Sequence, residues 1–231
     1  MPMLANKYLL ASKGISLIEI VISLLISSLL VAAMIAVFIN IKQTYRVQDN
    51  ISRIQDSGSL ALEFMGRDIR MLGYWGCLKA NTGDLYGDNN QLIIKAAYEV
   101  VTPITNCGAT VNKSAGYYLD KTSTVVYTLV NNVLRRNTNN LNNDIVEGVE
   151  AMIFSYGVDT DADNSPNVYL SSSLVEDFEK VVSIKVQLLL SSMEDNLLFN
   201  STAFTFNGLT KTDKRIRRIY AVTYMLRNRH I

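Results

Sequence analysis

The sequence predicts an α+β fold in which one long amino-terminal helix, half membrane-spanning and half amphipathic, packs on an antiparallel β-sheet. Three observations carry this expectation. Residues 20–39 form an apolar run without a charge. From Ile51 to Leu72 apolar side chains recur at three- and four-residue steps, the helical period. Beyond Cys77 the period shifts toward two, and a helix followed by strands is the order of an α+β domain.

The first segment, MPMLANKYLLASKG (1–14), holds Lys7 and Lys13 but no acid. The apolar run behind it, IVISLLISSLLVAAMIAVFI, matches the roughly 30 Å hydrocarbon core of a bilayer at about 1.5 Å per residue. It is longer than a secretory h-region and has no A-x-A-like cleavage site beyond it, so the span is expected to stay attached as an anchor. Two lysines before the span keep the amino terminus cytoplasmic and send everything after Asn40 across the membrane. Glu19 does not suit a plain anchor, because an acid inside a span is expensive and usually functional.

The second half of the helix (42–73) presents Ile51, Ile54, Gly58, Ala61, Leu62, Met65, Ile69 and Leu72 on one face. No proline interrupts residues 15–73, so both halves are expected to be continuous. Gly58 and Gly66 each cost a helix about 1 kcal/mol relative to Ala, and close packing against a strand is the reading that explains them. Gly73 is the expected left-handed cap.

Residues 74–231 are expected to form the head. Thr124–Val130 (TVVYTLV) reads as a strand, Asn131-Asn132 as its turn and Val133-Leu134 as the returning strand. Met152, Phe154 and Tyr156 mark another. In VVSIKVQLLL, Val182, Ile184, Val186, Leu188 and Leu190 share one face against Ser183, Lys185 and Gln187. A last strand is placed from about Arg218 to Leu226.

The formal charge of +1 excludes a strong overall bias toward nucleic acid or an anionic surface. Locally, Lys211, Lys214, Arg215, Arg217, Arg218, Arg227 and Arg229 face only Asp213. Two readings stand: contact with DNA or an acidic subunit surface, or a solvated polar strand end and tail, and the second is the commoner fate of such runs.

Cys77 and Cys107 are the only cysteines. Outside the reducing cytosol they are expected to pair, stabilising the fold by about 3 to 4 kcal/mol; the alternative is two separate buried thiols. Asp159, Asp161 and Asp163 alternate in DTDADN like the start of an EF-hand calcium loop. Asn164 stands where that loop has glycine and Leu170 where it has its bidentate Glu, with Glu176 and Asp177 as the nearest substitutes. A calcium site and a solvated acidic turn both remain open, and the missing ligand favours the turn.

Catalysis finds no support in the sequence. His230 is the only histidine, and no nucleophile-elbow or phosphate-loop pattern occurs. No cofactor other than calcium is expected.

The run Lys13-Gly14-Ile15-Ser16-Leu17-Ile18-Glu19 followed by the apolar span resembles the type III signal of type IV prepilins and pseudopilins. The resemblance implies cleavage after Gly14 by a prepilin peptidase and methylation of the new amine of Ile15, where the family usually has Phe. Glu19 becomes the fifth mature residue, which neutralises the terminal amine of a neighbouring subunit in a dry helical bundle. On this reading residues 1–14 are the leader, 15–41 the membrane and assembly half of the helix, 42–73 its amphipathic half and 74–231 the head. The segments KQTYRVQ, ALEFMGRDIRMLGYWGC, YGVDTDAD and MLRNR are similar to the PilW-type minor pilins.

That resemblance implies a minor pilin that primes pilus assembly within a tip complex and supports attachment, twitching motility or DNA uptake. The implied partners are other minor pilins, the major pilin, the prepilin peptidase, an inner-membrane assembly platform and a tip adhesin, with nucleic acid the weakest candidate. The implied location is the bacterial inner membrane, single-pass with a periplasmic head, and then the surface pilus. Two rivals share parts of the pattern: a J-type pseudopilin of type II secretion, and a membrane-anchored periplasmic binding protein that never polymerises.

Overall fold

The computed structural model of the protein describes residues 16–74, 85–87, 91–99, 119–138 and 141–228. The chain divides into two compact units, Met1–Arg46 and Val47–Ile231. One α-helix, α1 (Leu17–Met71), runs through the boundary, as the absence of proline predicts.

In the first unit α1 exposes its apolar side chains on every side: Leu17, Leu24, Leu29, Met34, Phe38 and Ile41 are all open. No residue of its most apolar 18-residue stretch is buried, which separates it from the core helix of a soluble protein. It is long and apolar enough to cross a membrane.

In the second unit α1 buries Ile54, Gly58, Ala61, Leu62, Met65, Gly66 and Ile69, the periodic face expected from the sequence. The helix stops where Leu72–Gly73 turns; Gly73 takes φ +77° and the Tyr74 N–H donates to the Met71 carbonyl at 2.9 Å.

Eleven strands follow among the described residues. β1 (Leu85–Gly87), β2 (Gln91–Glu99), β3 (Leu119–Val130), β4 (Val133–Thr138) and β5 (Leu141–Glu147) make an antiparallel meander in chain order. The expected hairpin is present: Asn131 and Asn132 both adopt positive φ, as a two-residue hairpin turn that follows strand twist demands. β6 (Val149–Val158), β7 (Val168–Leu170), β8 (Val181–Ser191) and β11 (Arg217–Met225) form a second sheet in the order β11-β8-β6-β7. β9 (Thr202–Phe206) and β10 (Leu209–Asp213) make a separate hairpin around Asn207-Gly208. That Asn-Gly pair is a strong local turn signal.

Both larger sheets close on the helix. Met65, Ile69, Leu92, Tyr127, Phe154 and Leu188 belong to one buried cluster. β8 alternates as expected but is buried on its second face too, where Leu189 packs with Ala151 and Phe206 of the small hairpin. The two glycines of α1 receive aromatic rings from β11: a Cβ at Gly58 would lie 2.7 Å from Tyr220 Cδ2, and one at Gly66 2.7 Å from Tyr224 Cζ. The close-packing reading of these glycines therefore holds.

Candidate assembly site

Glu19 lies in the first turn of α1, exposed, the single acid of the apolar segment. Its N–H donates to the Ser16 carbonyl at 3.0 Å, and its own carbonyl accepts from Ser23 Oγ at 2.7 Å. Among the described residues its carboxylate has no ion-pair partner. An acid suits the positive end of the helix dipole, and a carboxylate there is open to a cation brought by another molecule. Gly14, Ile15, Cys77 and Cys107 lie outside the described residues, as does His230.

The head is held to α1 by a buried polar contact that sequence reasoning missed. Asp68 projects from the helix and accepts from Arg136 Nε at 2.7 Å and Nη2 at 3.2 Å, in a bidentate pair, and from Tyr127 Oη. Burial, then the Asp68 charge, pushes the Tyr127 phenol above its ordinary value, so it stays a donor. The pair joins the helix to β3 and β4, and the GRDIR segment gave only its helical half.

In the basic carboxy-terminal segment Lys211, Arg218 and Arg227 are exposed, while Arg217 departs from both sequence readings. Arg217 is buried, its side chain 2% exposed, and is neither a DNA contact nor a solvated strand end. It donates to Glu150 at 2.7 and 3.1 Å and to Asp213 at 2.7 and 2.6 Å. A bulge in β6 between Val149 and Ala151 leaves Glu150 without a partner in the β8 register. Lys211 adds a longer contact to Glu150 at 3.6 Å, and Arg215 pairs with Asp195. Hydrogen bonding from Arg217 holds the Asp213 carboxyl at about 2. Burial opposes the ionisation of Glu150, but Arg217 outweighs it and keeps that carboxyl below its ordinary value. The four charges of Lys211, Arg217, Glu150 and Asp213 cancel, so the cluster ties β10 and β11 to β6 without leaving net charge.

The acidic loop is built around its first residue. Asp159 is buried and accepts from the backbone N–H of Asp161 at 3.0 Å, Ala162 at 2.8 Å and Asn164 at 2.7 Å. Burial works against its ionisation, but these amides hold the carboxyl below the ordinary range. Ala162 and Asn164 take positive φ, so Asn164 does supply the left-handed turn expected of a glycine there. Oxygens of Asp159, Asp161 and Asp163 lie within 4.8 Å of one another. Asp177, one of the two candidate substitutes, accepts from the Glu179 N–H at 2.9 Å at a short 3-10 turn. The loop is thus organised by a buried Asp159, where the sequence suggested a solvated turn.

The model of the PilW family, type IV pilus-assembly protein W, matches residues 116–228, from the segment before β3 through β11. Among solved structures, a type IV-like pilin from Thermus thermophilus is similar with a TM-score of 0.50 and 18% identity, covering 78% of this chain and 98% of that one. Curated proteins give no match in sequence. An apolar amino-terminal helix whose second half packs on antiparallel sheets is the type IV pilin-like fold, and this chain has it. Over residues 116–228, a little under half of its length, the chain is also similar in sequence to the PilW family.

Proposed function

We propose that this protein is a minor pilin, a structural subunit that primes assembly of a type IV pilus. The observation that carries the reading is α1 in the first unit, apolar on every side, with a carboxylate at Glu19 that has no ion-pair partner among the described residues. Such a surface suits lipid before assembly and neighbouring helices after it. In that bundle Glu19 neutralises the terminal amine of an adjacent subunit, which requires cleavage after Gly14 and a free, methylated amine at Ile15. A prepilin peptidase, an inner-membrane platform, other minor pilins, the major pilin and a tip adhesin are the partners this role needs. The head then stands in the periplasm, where Cys77 and Cys107 pair, and later on the surface pilus. A structural role needs no catalytic residues.

Deleting the gene tests this reading against secretion. Loss of surface pili with type II secretion intact supports the minor pilin; the reverse result makes it a secretion pseudopilin. Glu19→Val in the full chain separates a polymerising subunit from a plain anchor. The variant should insert in the membrane normally yet fail to restore pili, and full restoration would remove the assembly role from Glu19.

A further inference from the structure

Sheet edges in stable monomers are blunted, because a row of free N–H and C=O groups recruits another strand. Most edges here obey that rule. β1 and β7 are three residues each, and β5 carries Asp144 and Glu147 and pairs with β4 through a register irregularity. β11 does not. It is nine residues long, keeps unbroken register with β8 from Arg217 to Met225, contains no proline and bears its only charges at Arg217 and Arg218. Among the described residues nothing pairs with its outer side.

The polarity of that edge follows from the ladder. Leu226 N–H donates to Val182 O, and Ser192 N–H to Ile216 O, both at 2.8 Å. In antiparallel pairing the bonded residues alternate, so even-numbered residues of β11 bond β8 and Ile219, Ala221 and Thr223 turn their N–H and C=O outward. Ile219 and Met225 are exposed at 46% and 43%. Beside the edge lies a groove of about 430 Å³ lined by Gln55 and Ser59 of α1 and by Arg218, Ile219 and Tyr220. A free strand edge next to a helix is the arrangement that accepts an extended peptide as an added strand.

We infer that the outer edge of β11 is a docking edge for an extended segment of a partner protein that carries a carboxylate opposite Arg218. Arg218 is exposed and, unlike Arg215 and Arg217, has no carboxylate partner among the described residues. A second copy of β11 does not supply one, since RRIYAVTYM contains no acid. Charge complementarity therefore selects a different, acidic strand. The edge offers this whether or not the chain polymerises.

The test uses the full chain in detergent and a fluorescent peptide, Thr-Val-Glu-Val-Thr-Val-Thr-Val, read by anisotropy. Saturable binding is expected, weakened about tenfold by Ala221→Pro, which removes an outward N–H without touching the β8 ladder. Arg218→Glu should weaken it about fivefold, and changing the peptide's Glu to Lys should restore binding to that variant. The same peptide N-methylated at alternate amides should not bind, a control that leaves the protein unaltered. Equal binding of the methylated peptide, no saturable binding, or indifference to both substitutions overturns the inference. A dimer of the full chain that Ala221→Pro abolishes would also overturn it, by making the occupant a second copy.

Discussion

Tyr224 lies across Gly66: its ring fills the space a side chain at residue 66 would need, and its hydroxyl donates to the Leu62 carbonyl at 2.6 Å. Tyr220 meets Gly58 in the same way. Eight helical residues span about 12 Å and four strand residues about 13 Å, so the two glycine-tyrosine pairs fix α1 in register with β11.

Gly66→Ala tests this lock. Helix propensity alone favours Ala by about 1 kcal/mol, whereas overpacking costs about 1 to 3 kcal/mol, and the buried Tyr224 has little room to yield. The expected result is a net loss of about 1 kcal/mol in urea unfolding of the full chain in detergent. Gly58→Ala should be milder, because Tyr220 is only partly buried and can move. A stabilised Gly66→Ala would show that the ring does not constrain the helix.

The Asp68 contact gives a second expectation. Asp68→Ala leaves Arg136 and Tyr127 without their shared acceptor and should destabilise the head by about 3 kcal/mol. Tyr127→Phe removes one bond to a carboxylate that keeps its Arg136 pair, for a loss of about 1 to 2 kcal/mol. Chemical unfolding of both variants checks the order, and equal losses would contradict the geometry.

Acid should loosen the tie of β10 and β11 to β6. The folded Asp213 carboxyl sits at about 2 against an ordinary 3.8, and Glu150 is shifted in the same direction. A depressed folded value means the contribution is full above about pH 4 and is lost as pH falls toward about 2. Melting temperature should therefore fall across that window. Arg217→Gln should lower the melting temperature at neutral pH and flatten the acid slope; an unchanged slope would mean Arg217 is not the cause.

In the acidic loop, Asp159→Ala should lower the melting temperature even with a chelator present, since its oxygens serve three backbone amides. Asp161→Ala, exposed, should be nearly silent. If instead Asp159→Ala is silent in chelator and costly only with added calcium, the loop is a cation site.

The helix, its cap at Gly73, the Asn131-Asn132 turn and β8 were legible because each has a local signature of period, left-handed geometry or alternation. β5, β9 and β10 were not. Sequences such as LNNDIVE and LTKTD face water along most of their length and carry no apolar alternation. The pairing of Arg217 was hidden for another reason: Glu150 is 67 residues away and reaches it through a bulge, which composition does not record. Glu19 was legible since an acid in an apolar run stands out.

Mass spectrometry of the mature amino terminus decides whether α1 is an assembly helix released by leader cleavage. The expected product is a chain beginning at N-methylated Ile15, with Glu19 as its fifth residue. An intact leader through Gly14, or a cut well downstream of Glu19, would contradict it.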